Sequence, residues 1–235
     1  MKNLFIISFL TAIFFVSCDK EPSKNAMVAK GEVNGLKKGT LFLQKIDDGI
    51  LSTVDSTFLK GTGVYELISD INPSQLHFLT LDKDSEKSIP FFGEPGEITI
   101  NTNLENFVLH AKISGSRNQE ILDQYNIIAS RFQNKNLEMI KANFEAIKEK
   151  NQEKIDEVAK ESKTLLRKKY IYTINFALNN PDSEIAPYLA LSVLSNANVK
   201  YLDTINNSLS LKIKNSRYGK ELNSFIEKIK SASKE

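Results

Sequence analysis

Few side chains in this chain of 235 residues are of the kinds that do chemistry. There is one cysteine, Cys18, so neither an intrachain disulfide nor a CxxC redox pair can form within it. Thiol–disulfide exchange needs both an attacking thiolate and a resolving partner. There are two histidines, His77 and His110, and no tryptophan. Two histidines in one sheet would share a metal only with a further ligand, for which Asp82, Glu94 and Glu97 are candidates. Separate histidines on separate strands are the simpler reading. Glu94 and Glu97 flank the turn Pro95-Gly96 and have the right types for paired acid–base carboxylates, but no nucleophile, base or orienting group accompanies them. Gly61-Thr62-Gly63 lacks the following helix of a phosphate loop and reads as a hairpin or bulge device. The inventory predicts no catalytic constellation, no cofactor and no metal site, and hence a protein that is not an enzyme.

Cys18 stands where a different chemistry needs it. Lys2 supplies a positive start, and Leu4 to Val16 is an apolar run rich in Phe and Ile, shorter than the roughly 20 residues of a membrane span. Residues 1–17 therefore read as a secretory signal. Phe15-Val16-Ser17 followed by Cys18 resembles a bacterial lipobox, in which the cysteine becomes the acylated first residue of the mature chain. Ser17 is the small residue wanted before the cut, whereas Phe15 departs from the usual Leu and Val16 is bulky. Acylation would consume the only thiol and hold the chain at a membrane, at about 0.8 kcal/mol per buried CH₂. Residues 18–27 are polar and read as a tether. The expected location is the cell envelope, through a lipid anchor, most simply on the outer membrane.

Charge removes one class of partner. Lys plus Arg total 31 and Asp plus Glu 29, a net charge of +2. A binder of nucleic acid needs a basic face, so none is expected. The expected partners are the membrane, through the anchor, and an envelope protein.

The remaining sequence divides into a strand half and a helix half, an α+β chain. Over 28–115, short alternating segments sit between Gly and Asp turns. They are Leu41-Phe42-Leu43 and Ile50-Leu51 around Asp47-Asp48-Gly49, Thr53 to Leu59, Val64 to Ile68, Gln75 to Leu81, Ser88 to Phe92, Glu97 to Thr102 and Phe107 to Ile113. Their spacing predicts an antiparallel β-sandwich or open barrel. Over 116–235 the period becomes helical. Ser116 caps a first helix with a stripe from Ile121 to Phe132. A long run follows from Leu137 to Phe176, either straight or folded back near Asn151, with a charged middle that reads as solvated helix. Asp182 or Ser183 caps a third helix through Leu194. Further helices are expected over Asn198 to Leu211 and Arg217 to Ile229.

Several pieces, in order, resemble a known family. Gly31-Glu32-Val33-Asn34-Gly35, Val54-Asp55-Ser56-Thr57, Gly61-Thr62-Gly63-Val64-Tyr65, Phe91-Phe92-Gly93-Glu94-Pro95-Gly96-Glu97-Ile98 and Ile113-Ser114-Gly115-Ser116-Arg117-Asn118 look like a Bacteroidetes lipoprotein domain of unknown function. That domain stands at the N-terminus of TlpA/ResA-like thiol-disulfide oxidoreductases. The helical half resembles the spacer of the same proteins at Asn180-Pro181-Asp182-Ser183 and Ser216-Arg217-Tyr218-Gly219. In those relatives a thioredoxin domain with a CxxC motif follows, and these residues contain none, so no catalytic residue of the family carries over. The resemblance implies the non-catalytic half alone, acting by binding or scaffolding, or as an accessory in trans to a separate oxidoreductase. Binding of a small molecule between sheet and helices is a further expectation.

Three smaller features complete the reading. Asp55-Ser56-Thr57 and Asp203-Thr204-Ile205 resemble O-glycosylation triplets of Bacteroidetes envelope proteins, with Ser56 and Thr204 as acceptors. Tyr170 and Tyr172 with Lys168 and Lys169 form a basic-aromatic cluster, read as helix packing with extended lysines. Ser231 and Lys234 match the SxxK string of penicillin-binding proteins without its companions, in a tail expected to fray.

Overall fold

The computed structural model of the chain describes Ser23 and residues 25–47, 49–71 and 74–232. Cys18, residues 1–17, most of the tether, Asp48 and Lys234 lie outside the described residues.

Alternation builds the first half. Strand β4 (Val64–Asp70) exposes every second residue and buries Tyr65, Leu67 and Ser69 between them. The same period, in part, shapes β1 (Ala26–Asn34), β2 (Lys38–Asp47), β3 (Ile50–Lys60), β5 (Gln75–Leu81), β6 (Ser88–Gly93) and β7 (Gly96–Asn103). With the short β8 (Lys112–Ser114) they form two sheets, ordered β4-β1-β7-β8 and β3-β2-β5-β6. Leu41, Leu43, Leu79, Leu81, Ile89 and Phe91 of one sheet share a core with Met27, Leu67, Ile98 and Ile100 of the other. Each such side chain contributes about 1.5–3 kcal/mol by leaving water.

One pairing departs from the antiparallel expectation. β1 and β7 run parallel, with Met27 opposite Gly96 and Asn34 opposite Asn103. Their approach is close: a Cβ on Gly31 would lie 2.0 Å from the Ile100 carbonyl oxygen, which also accepts a 2.7 Å hydrogen bond from the Tyr65 hydroxyl. Two boundaries also differ from expectation. β1 begins at Ala26, inside the segment read as tether. Phe107 to His110 is a turn rather than a strand, because Thr102 Oγ1 donates to the Phe107 carbonyl and Asn103 Oδ1 accepts from the Asn106 N–H. These bonds hold Phe107 in the core and leave only residues 112–114 to pair with β7.

The second half is helical: α1 (Arg117–Lys148), α2 (Gln152–Leu178), α3 (Ile185–Val193), α4 (Val199–Ser208), α5 (Leu211–Lys214) and α6 (Arg217–Ala232). α1 is the long helix and spans about 48 Å. It runs unbroken through 133–136, where the periodicity suggested a division, and the long run instead folds back at 149–151. The stop is a Schellman motif: Asn151 N–H donates to the Ala146 carbonyl and Lys150 N–H to that of Ile147. Lys150 takes φ +53°, a position that favours glycine, and Asn151 Oδ1 then accepts from Lys154 N–H to cap α2. α2 packs back along α1. α2, α3, α4 and α6 close a second core around Ala177, Ala190, Leu202, Ile205 and Leu222.

Because a lysine occupies a left-handed position, Lys150→Gly should stabilise the chain by about 1 kcal/mol. Urea unfolding of the two forms measures it; an unchanged or lowered midpoint would contradict the strain.

Candidate functional site

The chemically capable side chains gather where the sandwich meets the helices, and most are occupied with one another. The turn from β6 to β7 places Glu94 at the start of α1. Its carboxylate accepts from the Arg117 N–H and, at 3.4 and 2.7 Å, from the backbone and side-chain N–H groups of Asn118. The first N–H groups of a helix have no partner within it and carry partial positive charge, so an anion there is favoured. Ser116 Oγ accepts from Gln119 N–H at 3.1 Å, and Gln119 Oε1 accepts from the Phe92 N–H of β6 at 2.9 Å. α1 is thereby bound to the sheet edge through its first turn.

From Asn118 the contacts pass to α3. Asn118 Oδ1 accepts from Ser183 Oγ at 2.8 Å, and Ser183 Oγ accepts from Ile185 N–H at 3.1 Å. The sequence reading places the cap at Asp182 or Ser183; the N-cap of α3 is Glu184, which makes no side-chain cap bond, and Ser183 bonds to Ile185 N–H from the residue before it. Glu184 is buried, and burial pushes its carboxyl above the usual range. Ser216 Oγ lies 2.7 Å from Glu184 Oε2 and 2.8 Å from the Ile213 carbonyl oxygen. One hydroxyl proton cannot serve both acceptors. The hydroxyl donates to Glu184 Oε2, with the Ile213 carbonyl as the competing acceptor.

The four residues Ser216-Arg217-Tyr218-Gly219 attach α6 in four ways. Ser216 holds Glu184. Arg217 Nη1 donates to Gln75 Oε1 and, at 3.1 Å, to Asp47 Oδ1, while its Nε donates to Glu221 at 2.9 Å. The Lys45 ammonium hydrogen-bonded to Asp47, and then the Arg217 guanidinium, hold that carboxyl below the usual range. Tyr218 Oη accepts from Leu76 N–H at 3.2 Å, and its ring packs 5.8 Å from Phe92 and 5.5 Å from Tyr188. Burial pushes its hydroxyl up to about 12. Gly219 lets α6 touch the preceding turn, since a Cβ there would lie 1.9 Å from the Ile213 oxygen.

Two adjoining clefts remain at this junction, of about 430 and 350 Å³. Both are lined by Glu94, Asn118, Asp182 and Lys212. They are open and polar, unlike the deep apolar pocket that a small hydrophobic ligand fills.

The other candidates do not converge. His77 lies on β5 within the sandwich, fully buried, with Nδ1 3.0 Å from the Gln75 carbonyl oxygen and its ring against Phe91. Burial lowers its pKa, so the ring is neutral at pH 7. His110 is not on a strand; it sits in the exposed turn after β7, with Nδ1 2.7 Å from Asn103 Nδ2. Asp82 accepts from Thr40 N–H and Glu97 pairs with Lys30. Among the described residues no group of three His, Cys, Asp or Glu could hold a metal ion. Gly61 and Gly63 lie in the turn from β3 to β4, tied to Lys37 and Val33. Ser231 donates to the Lys228 carbonyl within α6. Tyr172 packs between helices against Tyr125, Phe132 and Phe176, and Tyr170 borders the second core.

The two glycosylation candidates differ in surroundings. Ser56 is exposed on edge strand β3, and Asp55 beside it spans the sheets: Oδ2 accepts from Ile68 N–H of β4 at 2.8 Å and Oδ1 from Ser56 N–H at 2.7 Å. Thr204 is exposed on α4, its hydroxyl donating to the Lys200 carbonyl, and Asp203 pairs with Lys230.

Sequence reading did not find Glu94 as a helix cap, Glu184, or the Arg217 link. Ser216 to Gly219 and Phe91 to Asn118 stood out only as recurring strings, with no role attached. Each role depends on a partner up to 170 positions away.

Residues 27–122 match a family described as a domain of unknown function, DUF4369. The matched stretch comprises the sandwich and the opening turn of α1, the part that Glu94 and Gln119 bind to the sheet. No curated protein and no solved structure matches the chain.

Two substitutions test these assignments. Asp55→Ala should cost about 1–3 kcal/mol by leaving strand N–H groups unpaired, whereas Ser56→Ala should change stability by less than about 0.5 kcal/mol. Thermal melts that rank the pair the other way would remove the Asp55 bridge. For Glu184 the raised pKa means that its stabilising protonated form is fully present below the unfolded value and is lost as pH rises through the folded one. Glu184→Gln keeps an oxygen that accepts from Ser216 and is uncharged at every pH. It should match the parent at pH 4 and exceed it by about 1 kcal/mol at pH 7. Denaturation at the two pH values reads the difference.

Proposed function

We propose that this is a lipid-anchored cell-envelope protein of non-catalytic, binding or scaffolding type. The observation that carries the reading is the place of Cys18, the one cysteine of the chain, directly after the apolar run Leu4 to Val16 and the small Ser17. A thiol there is suited to acylation, and two or more acyl chains make attachment effectively permanent. The saturated junction supports the rest: Glu94, Asn118, Ser183, Ser216 and Arg217 are bonded into a rigid support that joins a sandwich to a projecting helical arm.

Likeness to the Bacteroidetes lipoprotein domain of TlpA/ResA-like proteins favours one second reading, an accessory that works in trans with a separate thiol-disulfide oxidoreductase. The match of residues 27–122 to a domain of unknown function supports only the domain itself.

Metabolic labelling with a fatty acid tests the anchor. The parent should carry label and sediment with membranes, and Cys18→Ala should carry none and leave the membrane fraction. A mature parent with an unlabelled, reactive Cys18 would refute the anchor. Crosslinking in the native envelope then tests the scaffold, with capture of a CxxC protein selecting the accessory reading.

A further inference from the structure

The outer half of α1 carries an apolar face that the fold does not use. Leu137, Ile140, Phe144 and Ile147 follow at spacings of three, four and three, so they lie along one stripe of the helix. Their exposures are 58, 58, 69 and 54%. Beyond the aromatic cluster at Tyr125 and Phe132, the α1 residues buried against α2 are Met139 and Ala146, which lie on another side. The stripe therefore does not hold the arm together.

Its margins have one character. At about 100° per residue, Lys141 and Lys148 flank the stripe on one side and Asn136 and Asn143 on the other. Glu138 and Glu145, the acidic residues of the same turns, fall about 120–140° from its centre. Neither Lys141 nor Lys148 forms an ion pair among the described residues, whereas Lys135 pairs with Glu138 and Lys154 with Glu149.

We propose that this face lies in the surface of a phospholipid bilayer bearing anionic headgroups. A helix whose Phe, Leu and Ile share one side, with free lysines at its edge, suits the boundary between headgroups and acyl chains. The lysines then meet phosphate without a carboxylate between them. A second copy fits less well. The seam is two heptads long, shorter than the roughly three to four of a self-standing coiled coil. It offers a few hundred Å² per chain, against the roughly 800 Å² per partner of a stable interface. The inference does not rest on acylation of Cys18.

The chain has no tryptophan, so Phe144→Trp in the full chain is a clean reporter. The protein is reconstituted with vesicles of phosphatidylcholine alone or with phosphatidylglycerol, with and without brominated acyl chains. Trp at 144 should shift to the blue and be quenched by brominated lipid, at least threefold more with phosphatidylglycerol present. Glu138→Trp, about two turns away and off the stripe, should stay unquenched. Lys141→Glu with Lys148→Glu should remove the headgroup preference at unchanged helicity. An unquenched Trp at 144 in both vesicles overturns the proposal. So does equal quenching in both, and so does a blue shift that needs only higher protein concentration and coincides with a dimer in sedimentation. Quenching at 144 in a chain that fails fatty-acid labelling removes the anchor and leaves this face standing.

Discussion

A carboxylate placed on a helix N-terminus governs how this molecule is put together. Glu94 meets the first N–H groups of α1 as the chain leaves the sandwich, and Gln119 of the same turn returns a bond to β6. A helix of about 48 Å is a lever, so any looseness in its first turn would be magnified at its far end. Fixing that turn by charge-assisted and backbone bonds sets the direction of the arm. α3 is reached through the same side chain, since Asn118 binds Glu94 with one end and Ser183 with the other.

Orientation and energy come from different groups at this junction. The polar bonds are directional but each contributes only about 1 kcal/mol net. The larger share comes from rings leaving water, with Phe92, Tyr188 and Tyr218 in mutual contact and Ile121, Tyr125, Ile185 and Leu189 around them. Glu184 is the exception. Its carboxyl is buried at the junction, and burial raises its pKa against the Ser216 hydroxyl bond that lowers it.

Most strands were legible because one face of each meets the core: β4 and β5 can be placed from alternation alone. Phe107 to Ile113 misled for the same reason, since apolar residues that plug a core from a turn have the composition of a strand. The sequence left the end of α1 open between a straight run and a fold near Asn151. A Schellman stop usually announces itself by glycine, and here Lys150 takes that place with φ +53°. Asp55 looked like part of a modification triplet, and only the neighbouring β4 backbone shows it joining two sheet edges. Of the candidate site, the strings around Glu94 and Ser216 were visible and their meeting was not.

By itself the sequence determined the strand half, the helix half, the cap at Ser116 and the scarcity of groups able to do redox or metal chemistry. These depend on neighbours a few positions apart, where backbone geometry alone sets which side chains share a face. Tertiary structure decided the parallel pairing of β1 with β7, the convergence of Glu94, Glu184 and Arg217, and which apolar side chains of α1 stay in solvent. Those outcomes depend on contacts between distant segments, and a helical stripe carries the same spacing whether it faces a core or open water.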